Sequence, residues 1–151
     1  MTAIRTLIAG LALALFTFSA HAGDAPKGST VAVWGYDLVS YHQEGGPKRG
    51  TGNHVVVHDG KNYLFATEEN ADTFKADPEK YLPAYDGYCA YGIAMGHKVI
   101  ADPTVYDIVD GKLYLNLNDR VQNMWNSDLM DLQKRAESEW SDMPKNDAGA
   151  D

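Results

Sequence analysis

Hydrophobic and polar residues alternate in two regions of the chain, and each region predicts a β-hairpin. Residues 53–65 alternate on both sides of Asp59-Gly60, a strong signal for a two-residue turn. Residues 105–115 flank a second such turn, Asp110-Gly111, with tyrosines and branched side chains that suit a pleated surface. We expect the two hairpins to share one sheet.

Helical spacing predicts two longer helical regions. Thr67 can cap a helix that ends at Asp77-Pro78, with Ala71 and Phe74 facing inward. Residues 117–140 place hydrophobic side chains at helical spacing and form a C-terminal helical segment. Strands followed by segregated helices predict a small, single-domain α+β fold rather than a doubly wound sheet. No repeat of fixed period is evident.

The segment 88–96 fits either a buried strand or a short helix closed by Gly96. The helix is the preferred interpretation. It places Cys89 near a helix N-terminus, where aligned amide groups favour the thiolate.

The first 22 residues have the pattern of a removable export signal. Arg5 supplies a positive charge, residues 6–20 are almost wholly apolar, and Ala20-His21-Ala22 is a small-x-small cleavage site. The apolar run is shorter than the roughly 20 residues that a membrane-spanning helix needs. We therefore expect general secretion to a bacterial periplasm, with no membrane insertion after the signal is removed.

Composition divides the rest of the chain into three parts. Residues 23–30 are small and polar and predict a flexible N-terminal tether. Residues 31–140 carry the hydrophobic periodicity and form the predicted domain. Residues 141–151 resemble the tether and predict a flexible tail.

The net charge of the chain and the absence of several catalytic motifs reduce the number of possible functions. The chain of 151 residues has a formal net charge of −8, which argues against binding to nucleic acid. The sequence has no Gly-x-Ser-x-Gly, His-Glu-x-x-His, Cys-x-x-Cys or phosphate-binding loop motif. A non-enzymatic role is therefore favoured, although a cysteine nucleophile activated by a distant histidine stays open.

The chain has one cysteine, Cys89. An oxidising compartment usually pairs its cysteines, and a single cysteine cannot form an intramolecular disulfide. Four roles stay open for Cys89: a buried inert thiol, an intermolecular disulfide in a homodimer, a reactive thiolate or a metal ligand.

Five segments of the chain follow one another in a distinctive order: Gly35–His42, Tyr63–Ala66, Phe74–Tyr81, Gly87–Ala90 and Asp110–Asn116. Together they resemble one known family, the YHS-domain proteins exported to the periplasm. The resemblance covers most of the chain, from about Trp34 to Trp125.

The resemblance implies heavy-metal handling, because related small domains are attached to copper-transporting ATPases. Carried over to this sequence, it implies Cys89 as a metal ligand and His42 as the accompanying histidine. The single cysteine departs from metal-handling relatives that have several, and it excludes a four-sulfur site.

His97 follows Gly96, and a turn there could fold its imidazole back toward Cys89. Thiolate and imidazole donors together suit copper better than calcium or magnesium. His54 and His58 are too far apart along one strand to share an ion and are predicted to be surface residues.

The leading hypothesis is a periplasmic metal-binding protein for copper homeostasis or delivery, with His42, Cys89 and His97 as ligands. Its expected partners are the metal ion and a periplasmic metal-handling protein. Two alternatives remain: a thiol-dependent enzyme or redox sensor that acts through Cys89, and a noncatalytic interaction module.

Overall fold

The computed structural model describes residues 30–144, and in this range the chain has the predicted α+β fold. The predicted signal peptide, most of the predicted tether and residues 145–151 lie outside the described residues. Two antiparallel hairpins form at the predicted turns: β1 (Thr51–His58) with β2 (Lys61–Phe65), and β3 (Asp102–Val109) with β4 (Lys112–Asn116).

The two hairpins form two separate two-stranded sheets, so the prediction of one shared sheet is wrong. Each hairpin packs against a helix of its own instead of pairing with the other hairpin. The five helices are α1 (Glu68–Ala76), α2 (Pro78–Tyr81), α3 (Ala90–Ala94), α4 (Asp119–Ser127) and α5 (Leu129–Asp142).

Local signals set the ends of the helices. Thr67 caps α1 as predicted, because its side chain accepts a hydrogen bond from the Asn70 N–H at 3.2 Å. The predicted segment 117–140 is two helices, because Asp128 leaves the helical conformation with φ of −144°. Helix α5 runs to Asp142, two residues into the predicted tail. None of the helices within residues 30–144 has the length and apolar character needed to cross a bilayer.

The segment from Ala32 to Asp128 contains the same structural unit twice. Each copy starts with a tight 3₁₀ turn, Ala32–Gly35 or Ala84–Gly87, whose two central residues have φ between 46° and 55°. Each copy continues with an eight-residue strand, an Asp-Gly turn, a five-residue strand and a nine-residue helix. The prediction that the chain has no repeat is therefore wrong.

The strand register confirms that the two units are equivalent. Thr51 lies opposite Phe65 in the first hairpin, as Asp102 lies opposite Asn116 in the second, and an irregularity follows at the same place in both. The sequence holds a sparse trace of the repeat. The matching motifs are Ala-x-x-Gly-Tyr at 32–36 and 84–88, and Asp-Gly-Lys-x-Tyr-Leu at 59–64 and 110–115.

The hydrophobic core of residues 30–144 has two clusters. The first holds most of the core of the first unit together with Leu113 and Leu115 of β4, and the second joins the second unit to α5. Phe74 of α1 is fully buried in the first cluster, and Trp125 of α4, its equivalent, is fully buried in the second. Ala71 and Phe74 both face inward, as predicted. Cys89 belongs to the first cluster and the adjacent Ala90 to the second. The two core clusters therefore meet at the start of α3.

Candidate functional site

Cys89 caps the N-terminus of α3, so the preferred helical interpretation of residues 88–96 is confirmed. Its Sγ accepts a hydrogen bond from the Gly92 N–H at 3.4 Å and donates one to Asn116 Oδ1 at 3.6 Å. The side chain is buried, with 1% of its surface exposed. An intermolecular disulfide through Cys89 would first require this contact to open.

Asn116, at the end of β4, is the partner that sequence reasoning missed. Its side chain is fully buried. Oδ1 also accepts a hydrogen bond from the Tyr91 N–H at 3.2 Å, which fixes the orientation of the amide because Nδ2 could not accept that bond. Nδ2 has no hydrogen-bond partner among residues 30–144. The sequence signal that could have indicated Asn116 is a polar amide directly after the apolar residues of a predicted strand.

Asp37 occupies in the first unit the position that Cys89 occupies in the second. The Asp37 N–H donates to Lys48 O at 2.9 Å, and the Cys89 N–H donates to Val99 O at 2.8 Å. The fully buried Asp37 carboxylate accepts four hydrogen bonds. Their donors are Val39 N, Ser40 N, Ala66 N and Asn70 Nδ2. Asp37 therefore links the short turn that follows it to the end of β2 and to α1. These four hydrogen bonds give the carboxylate a structural role.

His42 ends the short 3₁₀ turn Ser40–His42 and is half-buried. Its ring packs edge-on against Tyr81, with 5.3 Å between ring centres. Nε2 is buried and has no hydrogen-bond partner within the described part of the chain. Burial, with a smaller effect from the Lys80 ammonium, lowers the pKa of His42. The imidazole is therefore neutral at pH 7, which is the form that binds metal ions.

His97 lies on the turn that closes α3. The N–H groups of Gly96 and His97 donate to Ile93 O and Gly92 O, both at 2.9 Å, and Gly96 has φ of 79°. This is the αL helix end predicted at Gly96. The backbone does turn back toward α3, but the His97 side chain is exposed, whereas Cys89 is buried.

The three predicted ligands have different surroundings in the structure. The Cys89 thiol is enclosed between α3 and β4, His42 packs on Tyr81 of the first unit, and His97 is at the surface. No group of three or more His, Cys, Asp or Glu side chains positioned to hold one ion occurs in the range 30–144. The residues therefore do not fit a closed three-ligand centre in this conformation.

His58 differs from its prediction as a surface residue. Its ring lies edge-on to Phe74 at 5.9 Å between ring centres, and 26% of its side chain is exposed. Nε2 lies 3.5 Å from Asp59 Oδ2, a distance that allows an ion pair when the imidazole is protonated. The pairing of β1 with α1 covers this ring, which the alternating pattern of the strand alone could not indicate.

Comparison with protein-family models finds one match, the YHS domain, over residues 39–85. The matched range includes His42 and ends before Cys89 and His97. The match supports the YHS-domain family and fits a metal-binding role. Comparisons with curated proteins and with solved structures found no match.

Proposed function

We propose that the protein binds copper in the periplasm and serves in its homeostasis or delivery, with His42 as the first ligand. One observation carries the proposal: within the segment that matches the YHS domain, the buried Nε2 of His42 has no hydrogen-bond partner and no ion pair among residues 30–144. The Nε2 of His58 is also buried without a hydrogen bond, but it lies 3.5 Å from the Asp59 carboxylate. An unsatisfied buried group in a native structure calls for an explanation, and a bound ion is one. The apolar leader of the sequence supports the proposed periplasmic location.

Cys89 is the proposed second ligand, because thiolate and imidazole are the donors that copper prefers. Coordination would replace the hydrogen bond between Cys89 Sγ and Asn116 Oδ1. It would also need the contact between α3 and β4 to open and expose the thiol. His97, on the exposed turn after α3, is the proposed third ligand of such an opened site.

Metal affinity of the purified protein tests this function. Cu(I) affinity, measured by competition with a chromophoric chelator, should fall at least about tenfold in His42→Ala. His54→Ala is the matched control, since His54 is another half-buried histidine outside the proposed site, and it should bind as the parent does. A parent protein that retains neither copper nor zinc at micromolar supply would overturn the proposal.

The variants Cys89→Ser and His97→Ala test separately whether the two other proposed ligands contribute to copper binding. If Cys89 binds copper, Cys89→Ser should weaken Cu(I) binding and remove the thiolate-to-copper absorption band. Parent-like affinity in that variant would limit the site to histidine ligands.

Cell fractionation of the full chain tests the proposed periplasmic location. Retention of the protein in the cytoplasm would contradict that location.

Self-association is a second candidate function, in which the chain acts as an interaction module. Trp34 and Ile100 are 58% and 62% exposed, and both line a shallow groove of about 670 Å³. Exposed apolar residues that cluster mark contact surfaces more often than isolated ones do. Sedimentation equilibrium should show a dimer that Trp34→Ser weakens, whereas the exposed Val57→Ser outside the groove should not. A monomer at all concentrations excludes this candidate.

A further inference from the structure

An open cleft of about 410 Å³ lies between the turn Ala84–Gly87, β4 and α5. Its volume falls in the range of small-molecule sites. None of the three predicted ligands of the copper site lines it. A role for this cleft is therefore independent of the proposed function.

Aromatic rings form the walls of the cleft. The ring centre of Tyr85 lies 5.9 Å from that of Trp140 and 6.0 Å from that of Tyr114, and all three side chains line the space. The faces of such rings attract cations. The structure already shows this attraction at the edge of the cleft, where the Lys98 ammonium lies 5.6 Å from the Trp140 ring centre.

The charged side chains around the cleft are mostly acidic. Glu79, Asp86 and Glu137 line it, and Lys112 is the cation among the lining residues. Asp86 Oδ2 lies 3.7 Å from Lys61 Nζ, and Glu79 Oε1 lies 4.0 Å from His58 Nε2. Glu79 and Asp86 thus already face basic side chains, which leaves Glu137 as the third carboxylate of the cleft.

Glu137 is the carboxylate best placed to meet such a ligand. It forms no ion pair with any residue in the range 30–144. Glu137 lines the same cleft as Tyr85 and Tyr114. Burial, with a smaller contribution from the Glu137 carboxylate, raises the pKa of both tyrosines. Both phenols consequently stay neutral at pH 7, and the negative charge on this side of the cleft belongs to Glu137.

The two units share the backbone turn beside this cleft but differ in the side chains that the turn carries. The turn itself belongs to the repeat, since Val33 and Trp34 have the same left-handed conformation as Tyr85 and Asp86. The first copy places apolar side chains at these positions, and the second places a phenol and a carboxylate. The chemistry of the cleft thus comes from side chains and not from the shared backbone.

We infer that this cleft binds an organic cation, an alkylammonium group held against the aromatic wall formed by Tyr85, Tyr114 and Trp140, with Glu137 as its counter-charge. A bare metal ion fits less well. The cleft carboxylates come from the separate elements α2, the turn and α5, and the described residues hold no group of three or more arranged for one ion.

Choline and its neutral isostere 3,3-dimethylbutan-1-ol test the inference. Each is titrated into metal-free protein, with binding followed by amide chemical shifts in two-dimensional NMR. Choline should shift signals of the turn and α5 and bind at least about tenfold more tightly than the isostere, because only choline carries the charge. Equal binding of the two probes, or no binding of either at millimolar concentration, would overturn the inference.

Matched variants locate the site. Glu137→Gln keeps the shape of the side chain and should weaken choline binding about tenfold. Glu139→Gln, on the same helix but outside the cleft lining, should bind choline as the parent does. Trp140→Leu should also weaken binding, and thermal unfolding checks that each variant is folded. Parent-like choline binding by folded Glu137→Gln would contradict the proposed role of Glu137.

Discussion

Asp37 and Cys89 occupy equivalent positions in the two repeated units, each at the start of a short turn or helix and each with its N–H bonded to an equivalent carbonyl. In both places the side chain accepts a hydrogen bond from the N–H three residues later, in Ser40 and Gly92. The first unit fills the position with a carboxylate that has four donors, and the second fills it with a thiol. The equivalence gives Cys89 a structural role whether or not it binds metal.

Removing the Asp37 carboxylate should strongly destabilise the protein. In Asp37→Ala, buried donors that include Ala66 N and Asn70 Nδ2 lose their acceptor. Since each unsatisfied buried donor costs about 1–3 kcal/mol, we expect a loss of about 3 kcal/mol or more in the free energy of unfolding. Urea unfolding measures it. Asp72→Ala on the exposed face of α1 is the control, and its effect should stay within about 0.5 kcal/mol.

Cys89 should be protected from alkylation in the folded protein. Its Sγ is buried and bonded to Asn116, so iodoacetamide should react at least about 100-fold more slowly than in urea. The rate in urea is the internal control for intrinsic reactivity. Reaction of the folded protein at the unfolded rate would instead favour the thiol enzyme or redox sensor.

Local sequence signals were sufficient to predict most of the strands, turns and helix ends of the fold. The Asp-Gly turns, the Thr67 cap and the Gly96 helix end act through neighbouring residues, and all appear where they were predicted. The separation of the hairpins into two sheets could not be predicted in this way. It depends on how each hairpin packs on its helix, which no local pattern encodes.

The site was less predictable because its contacts are distant in sequence. Cys89 and Asn116 are 27 residues apart, and neither residue type indicates the other. The repeat could have been recognised from its two motifs, and it would have aligned Cys89 with Asp37. That alignment predicts a capping role for Cys89, beside the proposed role as a metal ligand.

Tyr63 gives the protein a specific sensitivity to alkaline pH. Burial, with smaller effects from the carboxylates of Asp86, Asp59 and Glu79, raises the pKa of Tyr63 to about 12. The unfolded value is about 10, so the stabilising effect is fully present below pH of about 10 and is lost as pH rises through about 12.

Absorbance of tyrosinate at alkaline pH, followed together with circular dichroism, measures this effect. Tyr63→Phe should remove one late ionisation step and make the free energy of unfolding less dependent on pH above about 10. Loss of an early ionisation step at a pH of about 10 in Tyr63→Phe, in place of a late one, would show that Tyr63 ionises with the exposed tyrosines.

The repeat predicts equal effects of one substitution in the two hairpin turns. Gly60 and Gly111 have φ of 73° and 78°, and an added Cβ would meet no atom within 4 Å at either position. Alanine at either site therefore costs only the left-handed backbone, about 1–2 kcal/mol, and the two losses should agree. Gly52 is the control, because it is equally open but has no positive φ, so Gly52→Ala should be neutral or slightly stabilising. Urea unfolding of the three variants gives the comparison, and clearly different losses at Gly60 and Gly111 would mean that the two hairpins are not equivalent in energy.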